Sequence, residues 1–322
     1  MIHARALART FRTRTGPVEA VRGVDLDVDA GEIVGFLGPN GAGKTTTLRM
    51  LTTLLTPTSG TAEVAGCDLL CDPVGVRRRI GYVAQGGVTL PQARAGEELV
   101  DQARLYGVST DEARRRGHEL FDQLDLEGLW ERPCGSLSGG QRRRLDIVMG
   151  LVHSPGLVFL DEPTTGLDPQ SRANLWGHIR GLRDELGVTV FLTTHYLDEA
   201  DALCDRLLVI DHGSIVASGT PEELKRAVSG DAITLTLREQ ADADTALLVV
   251  KDLPGAEGAA GRDATECGLQ VSVRVPVGGA ALPGLLRALD SRGVTLEAVE
   301  VRRPTLDDVF LSLTGRSLRD AA

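Results

Sequence analysis

Four short stretches of the chain are apolar with almost no polar face: residues 33–37, 80–85, 157–160 and 188–194. Strands of a parallel sheet covered on both sides read this way, and ligands bind outside the carboxyl ends of such strands. The start of the chain has a different pattern. Residues 2–37 alternate apolar and polar positions, as in Val24-Asp25-Leu26-Asp27-Val28-Asp29, with breaks at Gly16-Pro17 and Ala30-Gly31. A period of two predicts an antiparallel β portion leading into the first buried strand.

Helical spacing fills the intervals. Leu48, Met50, Leu51, Leu54 and Leu55 recur one face apart after the first strand, and a turn over 56–60 precedes a short strand at 61–64. Amphipathic helices are predicted near 96–106 and 110–124, the second opened by Ser109 and Thr110, with Leu99, Leu105, Leu120, Phe121 and Leu124 facing a core. Pro133-Cys134-Gly135-Ser136 breaks the pattern before a helix over 145–152. A helix over 171–186 has Pro169 as its leading proline and Asp168 as its cap. Strands at 206–211 and 214–218 close this part, and Thr220-Pro221-Glu222-Glu223 opens a helix with a capping box.

The composition shifts near Ser229-Gly230. Beyond it the pattern predicts a strand at 232–238, a helix around 245–253, a Gly/Ala-rich loop to Cys267, a strand at 269–275, a helix over 281–292 and a strand at 294–302. A last helix begins at Pro304, with Thr305 as cap and Asp308 answering it. The order β-α-β-α-β fits a small α+β, ferredoxin-like module. It gathers no His, Cys and carboxylate cluster, so packing or dimer contact is its expected role. The chain thus divides into residues 1–228, with a helical subdomain at about 88–155, and an accessory domain at 229–322.

Candidate chemistry lies where the buried strands end. The run Gly38-Pro39-Asn40-Gly41-Ala42-Gly43-Lys44-Thr45-Thr46 joins the first strand to a helix. Gly38, Gly41 and Gly43 let the backbone lie against an anion with several N–H groups inward, and the helix start adds its positive end. Lys44 would reach the β- and γ-phosphates, and the Thr45 hydroxyl would complete a Mg²⁺ held between them. The 80–85 strand ends at Gln85, beside Gly86-Gly87. Asp161 and Glu162 end the 157–162 strand: Asp161 is placed to hold Mg²⁺ through water, Glu162 to take a proton from a water beside the γ-phosphate. His195 ends the 188–194 strand and is a candidate γ-phosphate contact, although a lone histidine is more often structural. Ser138-Gly139-Gly140-Gln141 starts a helix with exposed N–H groups: either an ordinary capped helix or a second phosphate-binding end. Phe11, in the β portion, reads as a core or edge aromatic.

Charge and cysteines narrow the class. With 45 acidic against 35 basic residues the formal net charge is −10, which disfavours nucleic acid as a partner. The arginine runs at 77–79, 114–116 and 142–144 read as solvated helix faces or turns. Lysine is scarce, at Lys44, Lys225 and Lys251 only, and one of the three sits in the glycine-rich loop. Five cysteines, Cys67, Cys71, Cys134, Cys204 and Cys267, show no zinc spacing and read as reduced thiols. No stretch approaches the roughly 18 apolar residues that span a bilayer.

The first 225 or so residues resemble the ATP-binding subunits of ABC transporters. The resemblance rests on residues 38–45 as Walker A, Gln85 as the Q-loop glutamine, Leu137-Ser138-Gly139-Gly140-Gln141 as the signature, residues 157–161 as Walker B with Glu162 next, Gly166-Leu167-Asp168 as the D-loop, and His195 as the switch histidine. It implies an α/β P-loop NTPase core and a head-to-tail self-dimer. Each ATP is then enclosed by the Walker A loop of one copy and Ser138, Gly139, Gly140 and Gln141 of the other, with Asp168 beside it. It further implies that Lys44, Gln85, Glu162 and His195 are catalytic, that Thr45, Gln85 and Asp161 serve Mg²⁺, and that Phe11 stacks on adenine, where the family more often has tyrosine. Pro304-Thr305-Leu306-Asp307-Asp308-Val309-Phe310-Leu311-Ser312-Leu313-Thr314-Gly315 and the arginine-rich 137–146 segment resemble the daunorubicin-resistance-type exporter ATPases. That group works with a separate multi-helix permease at the cytoplasmic face of the cell membrane. The alternatives are an ATPase subunit of another ABC transporter, such as an importer or a lipid or polysaccharide exporter, and a soluble ABC ATPase acting on ribosomes or DNA. Such soluble proteins usually carry two ATPase domains or a long coiled-coil insertion, and neither is present.

Overall fold

The computed structural model describes residues 1–14, 16–87, 89–228, 230–253, 257–265 and 268–315. Ser229 and Cys267, which figure in the sequence reading above, lie outside them. Two compact units are formed, one over Met1–Pro221 and one beginning at Glu222.

The first unit opens with the predicted alternation. Strands β1 (Ile2–Thr13) and β2 (Gly16–Val28) pair antiparallel, and with β4 (Ser59–Val64) and β5 (Cys67–Asp68) they make a four-stranded sheet in the order β2-β1-β4-β5. Between them run β3 (Ile33–Leu37) and helix α1 (Lys44–Leu51). Helix α2 (Pro73–Arg79) leads into β6 (Ile80–Val83), and α3 (Ala95–Leu105), α4 (Thr110–Gln123) and α5 (Gly139–Leu151) follow. The remaining elements are β7 (Leu157–Asp161), α6 (Pro169–Asp184), β8 (Thr189–Thr194), α7 (Leu197–Leu203), β9 (Arg206–Asp211) and β10 (Ser214–Gly219).

Six of these strands form a second sheet, ordered β10-β9-β3-β8-β7-β6 and parallel except at β10. Every residue of β3, β7 and β8 is buried, as their continuous apolar runs require. Phe36, Phe159 and Phe191 come from these three neighbours and pack with ring centroids 5.6 Å apart. Fully burying each ring contributes about 2–3 kcal/mol. The register aligns Leu37 with Thr194, Asp161 with Thr193 and Val83 with Leu160. The loops leaving β3, β8, β7 and β6 therefore emerge side by side in one row.

Three local expectations are revised. Helix α1 stops at Leu51, Thr53 turns to φ 62°, and Leu54 is left 58% exposed outside the helical face. Leu105, expected in the core, is 83% exposed because it is the last residue of α3, whereas Leu99, Leu120, Phe121 and Leu124 are buried. The 142–144 run is not a uniformly solvated face: Arg143 is 7% exposed.

Helix α8 (Pro221–Ala227) opens on the last described residue of the first unit and runs into the second, which continues with β11 (Asp231–Leu237), α9 (Gln240–Lys251), β12 (Glu257–Thr265), β13 (Gly268–Val275), α10 (Gly278–Asp290), β14 (Ala298–Arg302) and α11 (Leu306–Thr314). Its antiparallel sheet is ordered β12-β13-β11-β14. This β-α-β-β-α-β arrangement is ferredoxin-like. Its core gathers Ile233, Leu235, Val249, Val250, Val273 and Leu285 from sheet and helices. Strand β12 was missed in the Gly/Ala-rich stretch.

Candidate active site

The loop after β3 is built to approach an anion. Gly43 caps α1 with φ 108°, a conformation that side chains other than glycine avoid, and a Cβ there would meet Ala20 O at 2.6 Å. A Cβ on Gly38 would meet Ile210 O at 2.3 Å, so this end of the loop is pressed between β2 and β9 without room for any side chain. A cleft of about 220 Å³ opens above the loop, lined by Ala20, Pro39, Asn40, Gly41, Gly43, Lys44, Thr45, Thr46, Gln85 and Glu162. The cleft thus joins residues from three of the emerging segments, after β3, β6 and β7, with Ala20 of β2.

Lys44 is 5% exposed and folds back over its own loop, donating from Nζ to Gly38 O (2.7 Å) and Pro39 O (3.1 Å). Its Nζ is 3.5 Å from Glu162 Oε1. Burial pulls the Lys44 pKa down, and the neighbouring Glu162 and Asp161 charges oppose that shift. Thr45 Oγ1 donates to Asp161 Oδ1 (3.2 Å), and Thr193 Oγ1 donates to the same oxygen (2.7 Å). A hydroxyl and a carboxylate, both hard oxygen donors, therefore meet at the start of α1, as magnesium requires. Among the described residues no group of three or more His, Cys, Asp or Glu is placed to hold a metal. An ion there would draw its other oxygens from phosphate and water.

Glu162 is the point of convergence. Its Oε2 accepts from Gln85 Nε2 (2.9 Å) and Thr165 Oγ1 (3.2 Å), while His195 Nδ1 lies 3.2 Å from its Oε1. The His195 imidazole holds its pKa below the usual carboxylate range against the effect of burial, and Lys44 adds to that lowering. Its backbone sits at φ 45°, the left-handed region that a glutamate enters only when its surroundings impose it. Here Glu162 N donates to Thr193 Oγ1 (2.9 Å).

Three of the expected groups stand apart from this cleft. Ser138 caps α5: its Oγ accepts from Gln141 N (3.2 Å) and Gln141 Oε1 accepts from Ser138 N (3.0 Å). Ser138 and Gly139 are exposed, and none of residues 138–141 lines the cleft. Asp168, also exposed, caps α6 by accepting from Ser171 N (2.9 Å) and Ser171 Oγ (2.6 Å). Phe11 lies on β1 opposite Val18, with the Arg9 guanidinium 4.8 Å from its ring centre; Ala20, not Phe11, lines the cleft. Thr165, Thr193 and Arg143 were missed from sequence. A threonine pair closing an otherwise apolar strand was the available signal for Thr193.

Comparison with known proteins agrees with this geometry. Residues 21–165 match the ABC transporter family, and residues 219–314 match the C-terminal domain of DrrA1-3-like ATP-binding proteins. The chain is 42% identical over 311 residues to a daunorubicin resistance ATP-binding protein of Streptomyces coeruleorubidus, covering 96% of both chains. It is 33% identical to a linearmycin resistance ATP-binding protein of Bacillus subtilis, covering 97% of this chain and 99% of that one. Among solved structures, a dimeric post-hydrolysis ATP-binding cassette bound to ADP and Pi superposes with TM-score 0.63 at 26% identity, over 68% of this chain and 98% of the cassette. With its P-loop, its ordered site segments and near full-length similarity, the chain belongs to the ATP-binding subunits of ABC transporters, in the daunorubicin- and doxorubicin-resistance family, and is an ATP hydrolase.

Proposed function

We propose that the chain powers export of an antibiotic or other hydrophobic compound through a separate membrane permease, at whose cytoplasmic face it works as a head-to-tail dimer. The observation that carries this reading is the convergence of Lys44, Gln85, Thr165 and His195 on Glu162 at the mouth of the P-loop cleft. Among the described residues no helix is long and apolar enough to cross a membrane, so the translocation path is assigned to the permease.

ATP lies with its phosphates on residues 38–46, and Lys44 swings from the Gly38 and Pro39 carbonyls to the β- and γ-phosphates. Thr45 and Asp161, with Gln85 at the rim, would hold a Mg²⁺ ion, which would neutralise phosphate charge. Glu162 accepts a proton from water as the water oxygen bonds to the γ-phosphorus and the bond to the bridging oxygen breaks, releasing ADP and phosphate. His195 keeps the γ-phosphate aligned. Ser138, Gly139, Gly140 and Gln141 close over the nucleotide of a second copy, with Asp168 beside it. Their exposed helix start, which does not line their own chain's cleft, supports that role. Phe11 is assigned to the adenine ring.

Glu162→Gln keeps the shape of the side chain and removes its basicity. It is expected to bind ATP as the parent does while turnover falls more than about 100-fold, a loss confined to the transition state. Turnover unchanged in this variant, assayed with the permease present, would remove Glu162 from the role of base.

A further inference from the structure

The Arg143 guanidinium occupies a position that none of the motifs above uses. It lies in α5, two residues beyond Gln141, and is 7% exposed. Guanidinium donors are fixed in one plane, and here three nitrogens are given to main-chain carbonyls of two segments. Nη1 donates to Ala84 O (2.6 Å), Nη2 to Asp161 O (3.0 Å) and Nε to Pro163 O (2.8 Å). The buried Asp146 carboxylate adds charge at longer range, its Oδ2 4.0 Å from Nη1, while the short hydrogen bonds all go to carbonyls.

Each of these carbonyls adjoins a residue of the site. Ala84 O belongs to the peptide plane whose N–H is that of Gln85, and Asp161 O to the plane whose N–H is that of Glu162. The Asp161–Glu162 plane is gripped at both ends, by Arg143 on its oxygen and by Thr193 Oγ1 on its N–H. Pro163 O fixes the chain on the far side of Glu162. The left-handed turn at Glu162 is thus bracketed by two bonds from one side chain, and that side chain is rooted in the helix that Ser138 starts.

We infer that Arg143 is a positioning residue for hydrolysis, tying the signature helix to the backbone of Glu162 and Gln85. This rests on Glu162 being the base. A shift of α5 as Ser138, Gly139 and Gly140 seat on a nucleotide then moves the base and the Q-loop glutamine together. Lysine, whose donors all radiate from one nitrogen on a flexible stem, lacks the planar fork that reaches all three carbonyls at once. Methionine fills similar space and serves none.

The test uses the purified full chain, steady-state ATPase assays, and binding of a fluorescent ATP analogue. Arg143→Met should lower kcat about 10- to 100-fold while KM for ATP and analogue affinity stay within about twofold, the mark of an interaction needed in the transition state only. Arg143→Lys should remain well below the parent, and Arg142→Met, one residue away and solvent-exposed, should match it. A parent-like kcat in Arg143→Met overturns the inference, and so does an equal loss of kcat and analogue affinity, which marks general loosening. If thermal melting finds the Met variant unfolded, Arg143→Lys decides by the same criteria. Glu162→Gln is run in parallel. Retained turnover there overturns the base assignment and this inference with it; an inactive Glu162→Gln beside a parent-like Arg143→Met overturns the inference alone.

Discussion

His153 follows α5, with Nε2 2.9 Å from Ile80 O and its ring stacked at 3.7 Å on Tyr106. Burial lowers its pKa; the Ile80 carbonyl opposes this and the Arg116 charge adds to it. A histidine whose folded pKa lies below its unfolded value of 6.5 binds protons more readily when unfolded. Its stabilising effect is therefore complete above pH 6.5 and is lost as pH falls from there through the folded pKa. Urea midpoints measured from pH 8 down to 5 should fall below pH 6.5, and less steeply in His153→Gln; identical slopes would show that His153 plays no part. His178 is shifted in the same direction by burial, so part of the decline persists. At this scale the sequence pointed to the candidate chemical groups but not to their supports. Glu162 and His195 follow strand ends and Lys44 opens a helix after a glycine-rich loop, so all three could be placed, whereas one inward arginine among three is set by helical phase, which a run of identical charges conceals.

Among the elements, those with regular apolar period were legible and those held by their neighbours were not. Strand β12 runs Glu257-Gly258-Ala259-Ala260-Gly261-Arg262-Asp263-Ala264-Thr265, with one β-branched residue and two glycines, and exists as an edge strand because β13 offers it a partner. Helix α2 was overlooked although Asp72 caps it, accepting from Gly75 N at 2.8 Å, and Pro73 leads it. The last helix was legible from its cap alone. Thr305 Oγ1 accepts from Asp308 N (3.3 Å) and donates to Asp308 Oδ2 (2.7 Å), while Asp308 Oδ1 accepts from Arg302 (2.9 Å). Thr305→Ala should cost about 1 kcal/mol, and Thr305→Ser a fraction of that. Denaturant unfolding followed by a probe in the second unit measures both; equal stability of the Ala variant and the parent would mean that the cap does not hold α11.

For the whole molecule, the order of motifs points to the strand ends that carry the candidate site, because a parallel sheet places all its carboxyl ends on one edge. What one chain could not reveal is where the signature helix acts: Ser138 is exposed and lines no part of its own cleft. The central claim is that ATP draws two copies together, each completing the other's site. Glu162→Gln, which should bind ATP without spending it, allows this to be measured at equilibrium by sedimentation. With ATP and Mg²⁺ its mass should rise to that of two chains, and the added substitution Ser138→Arg should return it to one. A protein that binds ATP yet sediments as a single chain under these conditions would contradict the account.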